Sequence, residues 1–521
     1  MSDTVTLPTR AQWATAAVSR IPTQDCLDPA ILGAPLLDSI ARVADRAPND
    51  PALRDGSRTV TYRELLQQVR ALGQRIAALP APPGPVAVPV ACDAESVIAL
   101  LAPWAAGRPC FPLDNTQPRE RLDAMIAQAR APIIVVPHAD GTTVTRNAHA
   151  VGTQGAGGMG WDLDEPAMIL PTSGSTGQPS LIVHSQRTMA YRGLMRVYGA
   201  SLRHGTRVLA AGVLSSYAAV CHLTGILISG ATGSLVDIRR GGLRTLLTAM
   251  ERDRIEVFRS GLSIVRALAE MERMRAATTH LRLCWLGGEV LKPADVPVLR
   301  AILPPGCDLL NGYGATEAMS FRWIVPSTVP PGLTTLPIGY PDPEAEVLLL
   351  RDDGTVCPPG EAGEIVTRSR FNALGEWRDG AVVAGRLIPD PENPGQRVYF
   401  SGDYARQLDD GSFVVLGRKD RMVKINGLRI EPAEIESALL ASGPIADVAV
   451  LPRTVDDRTT LLGFVTASAG AAPLDPAALR AAVQRVLPAH MVPSRVIVLP
   501  EFPRLGSGKI DGVTLLREHG M

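Results

Sequence analysis

The chain has 521 residues, with 52 basic and 52 acidic side chains, 46% hydrophobic residues and only 4% aromatic ones. That length exceeds a single domain and is ample for a sizeable buried core. The zero formal charge argues against a protein that coats nucleic acid or another polyanion, because such chains carry a basic excess or stripe.

In chain order, from Pro85 onward, PVAVPVA reads as a buried strand, DAESVIALLAPWAAG as a helix, PCFPLD as a strand, PRERLDAMIAQAR as a helix and PIIVVP as a strand. Short Val/Ile runs alternating with helical periods predict βαβ units and a mostly parallel sheet. The alternation resumes with AMILP (strand), QRTMAYRGLMRVYGA (helix), RVLAAGV (strand), LRTLLTAMERDR (helix), IEVF (strand), SIVRALAEMERMR (helix) and LRLCWLG (strand). After about residue 335, shorter strands with Gly/Pro/Asp turns predict an antiparallel β subdomain. From about Arg421 a helix, two strands, a further helix and a last strand predict a small α+β domain of their own. The expected fold is therefore α/β: a large domain, 1–419, of two mostly parallel helix-flanked sheets plus a β subdomain, and a small α+β domain, 420–521.

Seven cysteines are scattered singly, and the start MSDTVTLPTR lacks the apolar core of a signal peptide, so a reduced, cytoplasmic compartment is expected. No apolar run approaches the ~18 residues of a membrane span; Val97 to Ala106 is about the longest. Of the 52 basic residues only four are lysines, Lys292, Lys419, Lys424 and Lys509. A genome that favours Arg codons accounts for the bias, but it marks each lysine as a place that wants a compact ammonium rather than a planar fork. Gly155, Gly157 and Gly160 satisfy GxGxxG, yet a polar stretch precedes them and WDLDEP follows, not a strand and then a helix, so they read as a linker.

The segment Pro171-Thr172-Ser173-Gly174-Ser175-Thr176-Gly177-Gln178-Pro179-Ser180 follows a strand directly and precedes a helical run. Its glycines let backbone N–H groups turn inward and its hydroxyls add donors, which suits a polyphosphate; it is not a Walker A loop, which needs GxxxxGK[ST]. Downstream come LLNGYGATEA (309–318), YFSGDYARQLDDGSFVVLGRKDRMVKINGLRIEPAEIE (399–436) and GSGKIDG (506–512); upstream lie VTYREL (60–65) and FPLDNTQPRERL (111–122). In order and spacing these segments resemble the acyl-adenylate-forming superfamily, which includes acyl-CoA synthetases, nonribosomal peptide synthetase adenylation domains and firefly luciferase. The resemblance covers about residues 35 to 515.

It implies an enzyme that joins a carboxylate to the α-phosphorus of ATP, releases pyrophosphate, and passes the acyl group to a thiol. Thr172, Ser173, Gly174, Ser175, Thr176 and Gly177 would hold the β,γ-phosphates, Tyr313 would lie beside adenine, Thr316 would reach the α-phosphate, and Glu317 would ligate Mg²⁺. Asp403, in the SGD turn, would accept from both ribose hydroxyls, with Arg418 in support. Gly288, Asn311, Gly312 and Gly314 complete the nucleotide set. Lys509 would bridge the substrate carboxylate and the ribose or phosphate oxygens, a task for a flexible ammonium. The C-terminal domain is expected to rotate between the half-reactions about Asp420, bringing Lys424 and Gly427 to the thiol tunnel.

Two positions depart from the family pattern. The phosphate loop normally ends in Pro-Lys, and here it ends in Pro179-Ser180; the lost cation weakens the grip on pyrophosphate or passes the task to another residue, Arg187 being the candidate. A degenerate, nucleotide-binding partner protein is the drastic alternative. Second, the Asp that pairs with the α-ammonium in amino-acid-activating domains corresponds here to Tyr217, or to Ser216 if the gap slips. A bare ammonium would then be buried unpaired at a cost of several kcal/mol, so an aryl, hydroxy, keto or short aliphatic acid is expected, or an amino acid anchored differently. His222 lies too close to Gly230 to match the HxxG of acyl-CoA ligases and reads as an ordinary helix residue. Further pocket candidates are Cys221, Trp285, Gly287, Gly312, Ser320 and Phe321; Trp285 favours a small acid. Arg259 reads either as a solvated side chain or as the partner of a second carboxylate.

FPLDNTQPRERL resembles the peptide-synthetase branch, and the sequence ends soon after Lys509. The expectation is a stand-alone adenylating enzyme that loads the phosphopantetheine of a separate carrier protein, with CoA as the alternative acceptor, and with neither nucleic acid nor membrane as partner.

Overall fold

The computed structural model describes every residue except 1–6, 20–25, 148–161, 173–178, 319, 420–422, 426–427, 431, 456–457, 488–490, 505–509 and 521, and backbone alone at 423–425, 428–430, 434, 454–455 and 458–459. The chain divides into two compact units, 1–348 with 366–401 and 349–365 with 402–521.

The first unit is α/β and holds two large sheets. One has nine strands in the order Tyr340–Pro341, Ser320–Ile324, Asp308–Gly314, Leu283–Gly287, Val257–Ser260, Arg207–Ala211, Thr232–Val236, Pro51–Asp55 and Arg58–Thr61. It is parallel at its centre and antiparallel at both ends. The other has eight, in the order Ala381–Val383, Gly375–Arg378, Ser180–Ser185, Pro166–Thr172, Cys110–Asp114, Val86–Val90, Ile133–Val136 and Thr143–Arg146, again with parallel strands at its centre. Two strands expected in the β subdomain, Gly375–Arg378 and Ala381–Val383, instead extend this sheet, because Gly375 and Glu376 pair with Val183 and Ile182.

One core joins helices Tyr62–Ala77, Ala94–Ala105, Gln186–Gly199 and Tyr217–Ser229 to residues from both sheets, including Val86, Met168, Val208, Val257 and Leu310. Ala94–Ala105 and Tyr217–Ser229 are apolar almost all round, as helices enclosed by other elements must be. The hydroxyl of Tyr62 donates to the Ala231 carbonyl at 2.7 Å, and the Trp104 indole N–H to Ala167 at 2.8 Å, so these large buried aromatics leave no polar end unsatisfied.

Two glycines set the crossing of Gln186–Gly199 over Tyr217–Ser229. A Cβ on Gly193 would lie 2.8 Å from Thr224 Cγ2; one on Gly225 would lie 2.8 Å from Arg196 Cβ and 3.0 Å from the Gly193 carbonyl. The backbones therefore touch, and side chains one turn further along each helix face each other across a narrow gap.

In the second unit, Ile445–Val455 and Arg458–Ala467 form an antiparallel pair, with Arg495–Leu499 parallel to the latter. Helices Pro432–Ala441 and Pro476–Val486 cover it through Ile435, Leu439, Leu479 and Val483. The 403–407 stretch pairs antiparallel with Phe413–Arg418. Among the described residues no helix is long and apolar enough to cross a membrane.

Gly225→Ala gains up to about 1 kcal/mol of helix propensity but forces a methyl group against the Gly193 carbonyl. The variant is expected to lose about 1–3 kcal/mol of stability overall, read as a lower midpoint in urea; an unchanged or raised midpoint would show that the helices need not touch.

Candidate active site

Pro166–Thr172 and Ser180–Ser185 form an antiparallel hairpin whose last pairs are Leu170 with Ile182, Pro171 with Leu181 and Thr172 with Ser180. The Thr172 hydroxyl donates to the Ser180 carbonyl at 3.3 Å, closing the base of the phosphate loop. Ser173, Gly174, Ser175, Thr176 and Gly177 lie outside the described residues. The sequence left 180–185 unassigned between loop and helix; the structure has a strand there, and the helix starts at Gln186, where the sequence predicts it, capped by the Ser185 hydroxyl on the Thr188 N–H at 3.1 Å. The loop is thus held by two strand ends and opens no helix. Arg187 does not replace the missing lysine. Its guanidinium binds both Asp164 oxygens, at 2.8 and 3.0 Å, and donates to the Leu32 carbonyl at 2.8 Å.

The segment after Asp308–Gly314 carries the next set. Asn311 donates from Nδ2 to the Pro337 carbonyl at 2.8 Å, and Tyr313 pairs across strands with Phe321, ring centroids 5.8 Å apart and edge to face. Ser320 is buried opposite Gly314, where a Cβ would meet its Oγ at 2.9 Å. Ser320 and Phe321 therefore buttress the 312–314 strand. Burial pushes the Glu317 carboxyl up from the ordinary range, with Glu376 adding repulsion, while hydrogen bonds from its own backbone and Tyr399 and the charge of Arg386 oppose the shift. A desolvated carboxylate whose charge is incompletely offset fits a divalent cation. Among the described residues no group of three or more acidic, His or Cys side chains is gathered as a metal site. Glu317 is the residue that could hold such a cation.

In the second unit Asp403 and Arg418 are cross-strand partners, with Arg418 Nη1 donating to Asp403 Oδ1 at 3.2 Å. The SGD segment is not a turn; Asp403 lies within the strand Arg397–Gln407, beside Gly402 at φ +73°. Lys419 donates to Glu364 at 2.8 Å and lies 3.5 Å from Asp352, one ammonium serving two carboxylates just ahead of the expected hinge. Asp420, Gly427 and Lys509 fall outside the described residues, and Lys424 is described by its backbone alone, in the hairpin Val423–Ile425 with Leu428–Ile430.

A third group lies where the touching helices cross the nine-stranded sheet. Ser216 caps the helix Tyr217–Ser229 from its exposed N-cap position, with its hydroxyl on the Ala219 N–H at 3.3 Å. The inward residue is Tyr217, which stacks on His184 at 5.4 Å and lies 5.7 Å under the Arg192 guanidinium. One turn on, Cys221 and His222 are buried. From the facing helix come Arg192 and Arg196, four residues apart; Arg196 lies 4.7 Å over the ring of Trp285. Arg259 and Trp285 are register partners on adjacent parallel strands. Two glycines make room for both: a Cβ on Gly312 would lie 2.3 Å from Trp285 Nε1, and one on Gly287 would lie 3.4 Å from Arg259 Nη2. Gly288, next in the chain, turns at φ +87°.

The balance of charge here is one-sided. Arg322 contacts Asp342 at 2.7 Å, both largely buried, and Arg192 donates to the Phe371 carbonyl at 3.2 Å. Arg196 is 5% exposed, and neither its Nε nor that of Arg259 has a hydrogen-bond partner. Burial first, and then the charge of Arg196, pulls Arg259 down to about 9. His222 is lowered to about 3 by burial and by Arg259 and Arg196, and both its ring nitrogens lack partners. Burial holds the Tyr217 hydroxyl and the Cys221 thiol well above their usual ranges, so neither supplies a negative charge.

Residues 40–377 match the family model of the AMP-binding enzymes, and residues 434–509 match that of the AMP-binding enzyme C-terminal domain. The chain belongs to the AMP-binding enzyme family. It is 30% identical over 489 residues to a plipastatin synthase polypeptide of Bacillus subtilis (strain 168), covering 90% of this chain and 19% of that protein. It is 31% identical over 509 residues to the isonitrile lipopeptide synthase of Streptomyces coeruleorubidus, covering 92% and 33%. The chain thus spans a third or less of the length of these curated relatives. A solved four-domain nonribosomal peptide synthetase bound to AMP and glycine superposes at TM-score 0.75 and 26% identity, over 92% of this chain and 36% of that one. Klebsiella oxytoca NpsA, in complex with 3-hydroxyanthranilyl-AMSN, shares the fold at TM-score 0.77 and 22% identity, over 94% and 99%.

In this AMP-binding enzyme, sequence reasoning missed the inward role of His184, Arg192, Arg196 and His222. The signal was present: Arg192 and Arg196 are spaced i, i+4 on a helix whose neighbouring positions, Met189, Ala190, Leu194 and Met195, are apolar and buried. His184 is lowered to about 3 by burial and the charge of Arg192.

Both histidines are thus neutral in the folded protein and titrate near 6.5 when unfolded. Their contribution to stability is complete above about pH 6.5 and is lost as pH falls from there toward 3, at up to about 1.4 kcal/mol per pH unit for each. Urea unfolding followed by tryptophan fluorescence is expected to show that loss between pH 6.5 and 5, where ordinary carboxylates remain ionised. A His184→Gln/His222→Gln protein should lose less; an equal pH slope would refute the assignment.

Proposed function

We propose that the chain activates a small carboxylic acid with ATP as an acyl adenylate and transfers the acyl group to the phosphopantetheine thiol of a carrier protein, in the assembly of a natural product. In the first step a substrate carboxylate oxygen bonds to the α-phosphorus and pyrophosphate leaves. In the second, sulfur attacks the acyl carbon and AMP leaves. The observation that carries the reading is the match of both parts of the chain to one family of AMP-binding enzymes, with a buried carboxylate at Glu317 on the segment where the family's motif places the cation.

The residues take these roles. Thr172 to Gly177 bind the β,γ-phosphates; Gly288 and Asn311 to Gly314 line the nucleotide, with Tyr313 against adenine. Thr316 meets the α-phosphate. Asp403, oriented by Arg418, binds the ribose. Mg²⁺, held by Glu317, supplies charge neutralisation of the phosphates. Lys509 bridges the carboxylate and phosphate oxygens in the first step. Residues 1–419 serve as the ATP- and acid-binding domain and 420–521 as the mobile domain, turning at Asp420 to present Lys424 and Gly427 for the second step. A carrier protein is preferred to CoA because relatives that align with nine-tenths of the chain include a lipopeptide synthase and a nonribosomal peptide synthetase. Seven buried cysteine thiols accord with a reducing compartment such as the cytoplasm.

ATP- and acid-dependent pyrophosphate release over a panel of acids tests the first step. Lys509→Ala is expected to lower the rate by about 10²–10³-fold, the range for losing one transition-state charge contact. No release with any acid would leave the nucleotide-binding partner protein as the better reading. Supplying a holo carrier protein or CoA then identifies the acceptor. Ser180→Lys is expected to lower the KM for ATP by restoring a phosphate-loop cation; an unchanged KM would refute the importance of that loss.

A further inference from the structure

We propose that Arg196 and Arg259 bind a second carboxylate of the acid that is adenylated, so that the substrate is a dicarboxylic acid with no ammonium at that end. The inference rests on the adenylation reading for which acid is activated, and on the pocket alone for what it binds.

Three guanidinium groups, from Arg192, Arg196 and Arg259, lie around Tyr217 and Cys221, and the carboxylate that acts on Tyr217, Asp342, is 2.7 Å from Arg322. The groups that act on Arg259 are Arg196, Cys221 and Tyr217; none is a carboxylate. Arg196 is more than nine-tenths buried with its Nε unpartnered. Its charge rests on the face of Trp285, a contact that offsets only part of the cost of taking a guanidinium out of water. Such a pair persists at neutral pH when a ligand anion completes it. Planar forks suit a carboxylate, which accepts two parallel hydrogen bonds from each. His222, neutral and with both ring nitrogens unpartnered, adds a donor from whichever nitrogen carries the proton.

The same arrangement excludes an α-amino acid bound in the ordinary way. Where the family places the aspartate that holds the α-ammonium, this chain has Tyr217, and the nearest charges are cations. An ammonium there would face Arg192 and Arg196, and the carboxylate that acts on Tyr217, Asp342, is already paired with Arg322. Trp285 and Tyr217 are the aromatic neighbours of Arg196 and Arg192, which favours a short apolar spacer between the two carboxylates.

The test uses the full chain and matched acids of equal length: succinate against butyrate, glutarate against valerate, phthalate against benzoate. With ATP present, pyrophosphate release is expected to favour a diacid over its monoacid by about 10- to 100-fold in kcat/KM, the worth of one or two hydrogen bonds to charged groups. Arg259→Gln and Arg196→Gln should each erase most of that ratio, whereas Arg259→Lys should keep part of it. Monoacids or α-amino acids turned over as well as diacids, or a ratio untouched by Arg259→Gln, would overturn the proposal. Thermal shift without ATP separates the two readings. Stabilisation by a diacid but not by its monoacid or by inorganic phosphate, lost in Arg259→Gln, supports the pocket even where no acid releases pyrophosphate. Equal stabilisation by phosphate would overturn it and assign the arginines to a phosphate group instead.

Discussion

Where helix Gln186–Gly199 crosses helix Tyr217–Ser229, two glycines face each other and the backbones touch. Much of the arrangement of the buried arginines follows from that contact. It fixes the spacing at which Arg192 and Arg196 on one helix meet Tyr217, Cys221 and His222 on the other. It also presses the pair onto the strands that present Arg259 and Trp285. A larger residue at either glycine would widen the gap and let water reach groups whose interactions depend on its exclusion.

Water exclusion also explains why two charged centres of this protein behave in opposite senses. At Glu317 burial disfavours the carboxylate, and a cation would restore it. At Arg259 burial and a neighbouring guanidinium disfavour the cation, and an anion would restore it. Beside the second centre, the buried His184 ring stacks on Tyr217. Each is an incompletely offset charge in a low-dielectric setting, a cost to the empty protein that a ligand of opposite charge would reduce.

The central strands and most helices were legible because they are short apolar runs alternating with helical periods. Ser180–Ser185 was not, since its six residues run straight into a helix for which Ser185 is also the cap. The proposed nucleotide-binding positions rest on motif and glycine pattern, because such sites demand particular backbone shapes at fixed spacing. The acid pocket was harder to see. An arginine on a helix ordinarily reads as solvated, and only packing reveals that Arg192 and Arg196 lie on the buried side. The count favours Tyr217, with Ser216 if the gap slips; helix capping separates them, turning the serine outward and the tyrosine in.

The choice of cation sharpens the functional argument. In a chain with four lysines, Lys419 serves two carboxylates with a single ammonium, a geometry in which a point charge on a flexible stem is sufficient. The cluster uses arginine instead, where the Arg196 fork stacks on an aromatic ring with its Nε buried and unpartnered. A codon bias toward Arg accounts for how many arginines the chain has. It does not account for two of them being buried beside each other with no carboxylate between, because an Arg-rich genome could as readily leave such positions apolar. That juxtaposition costs stability in the empty protein, and it is retained where an anion is to be recognised.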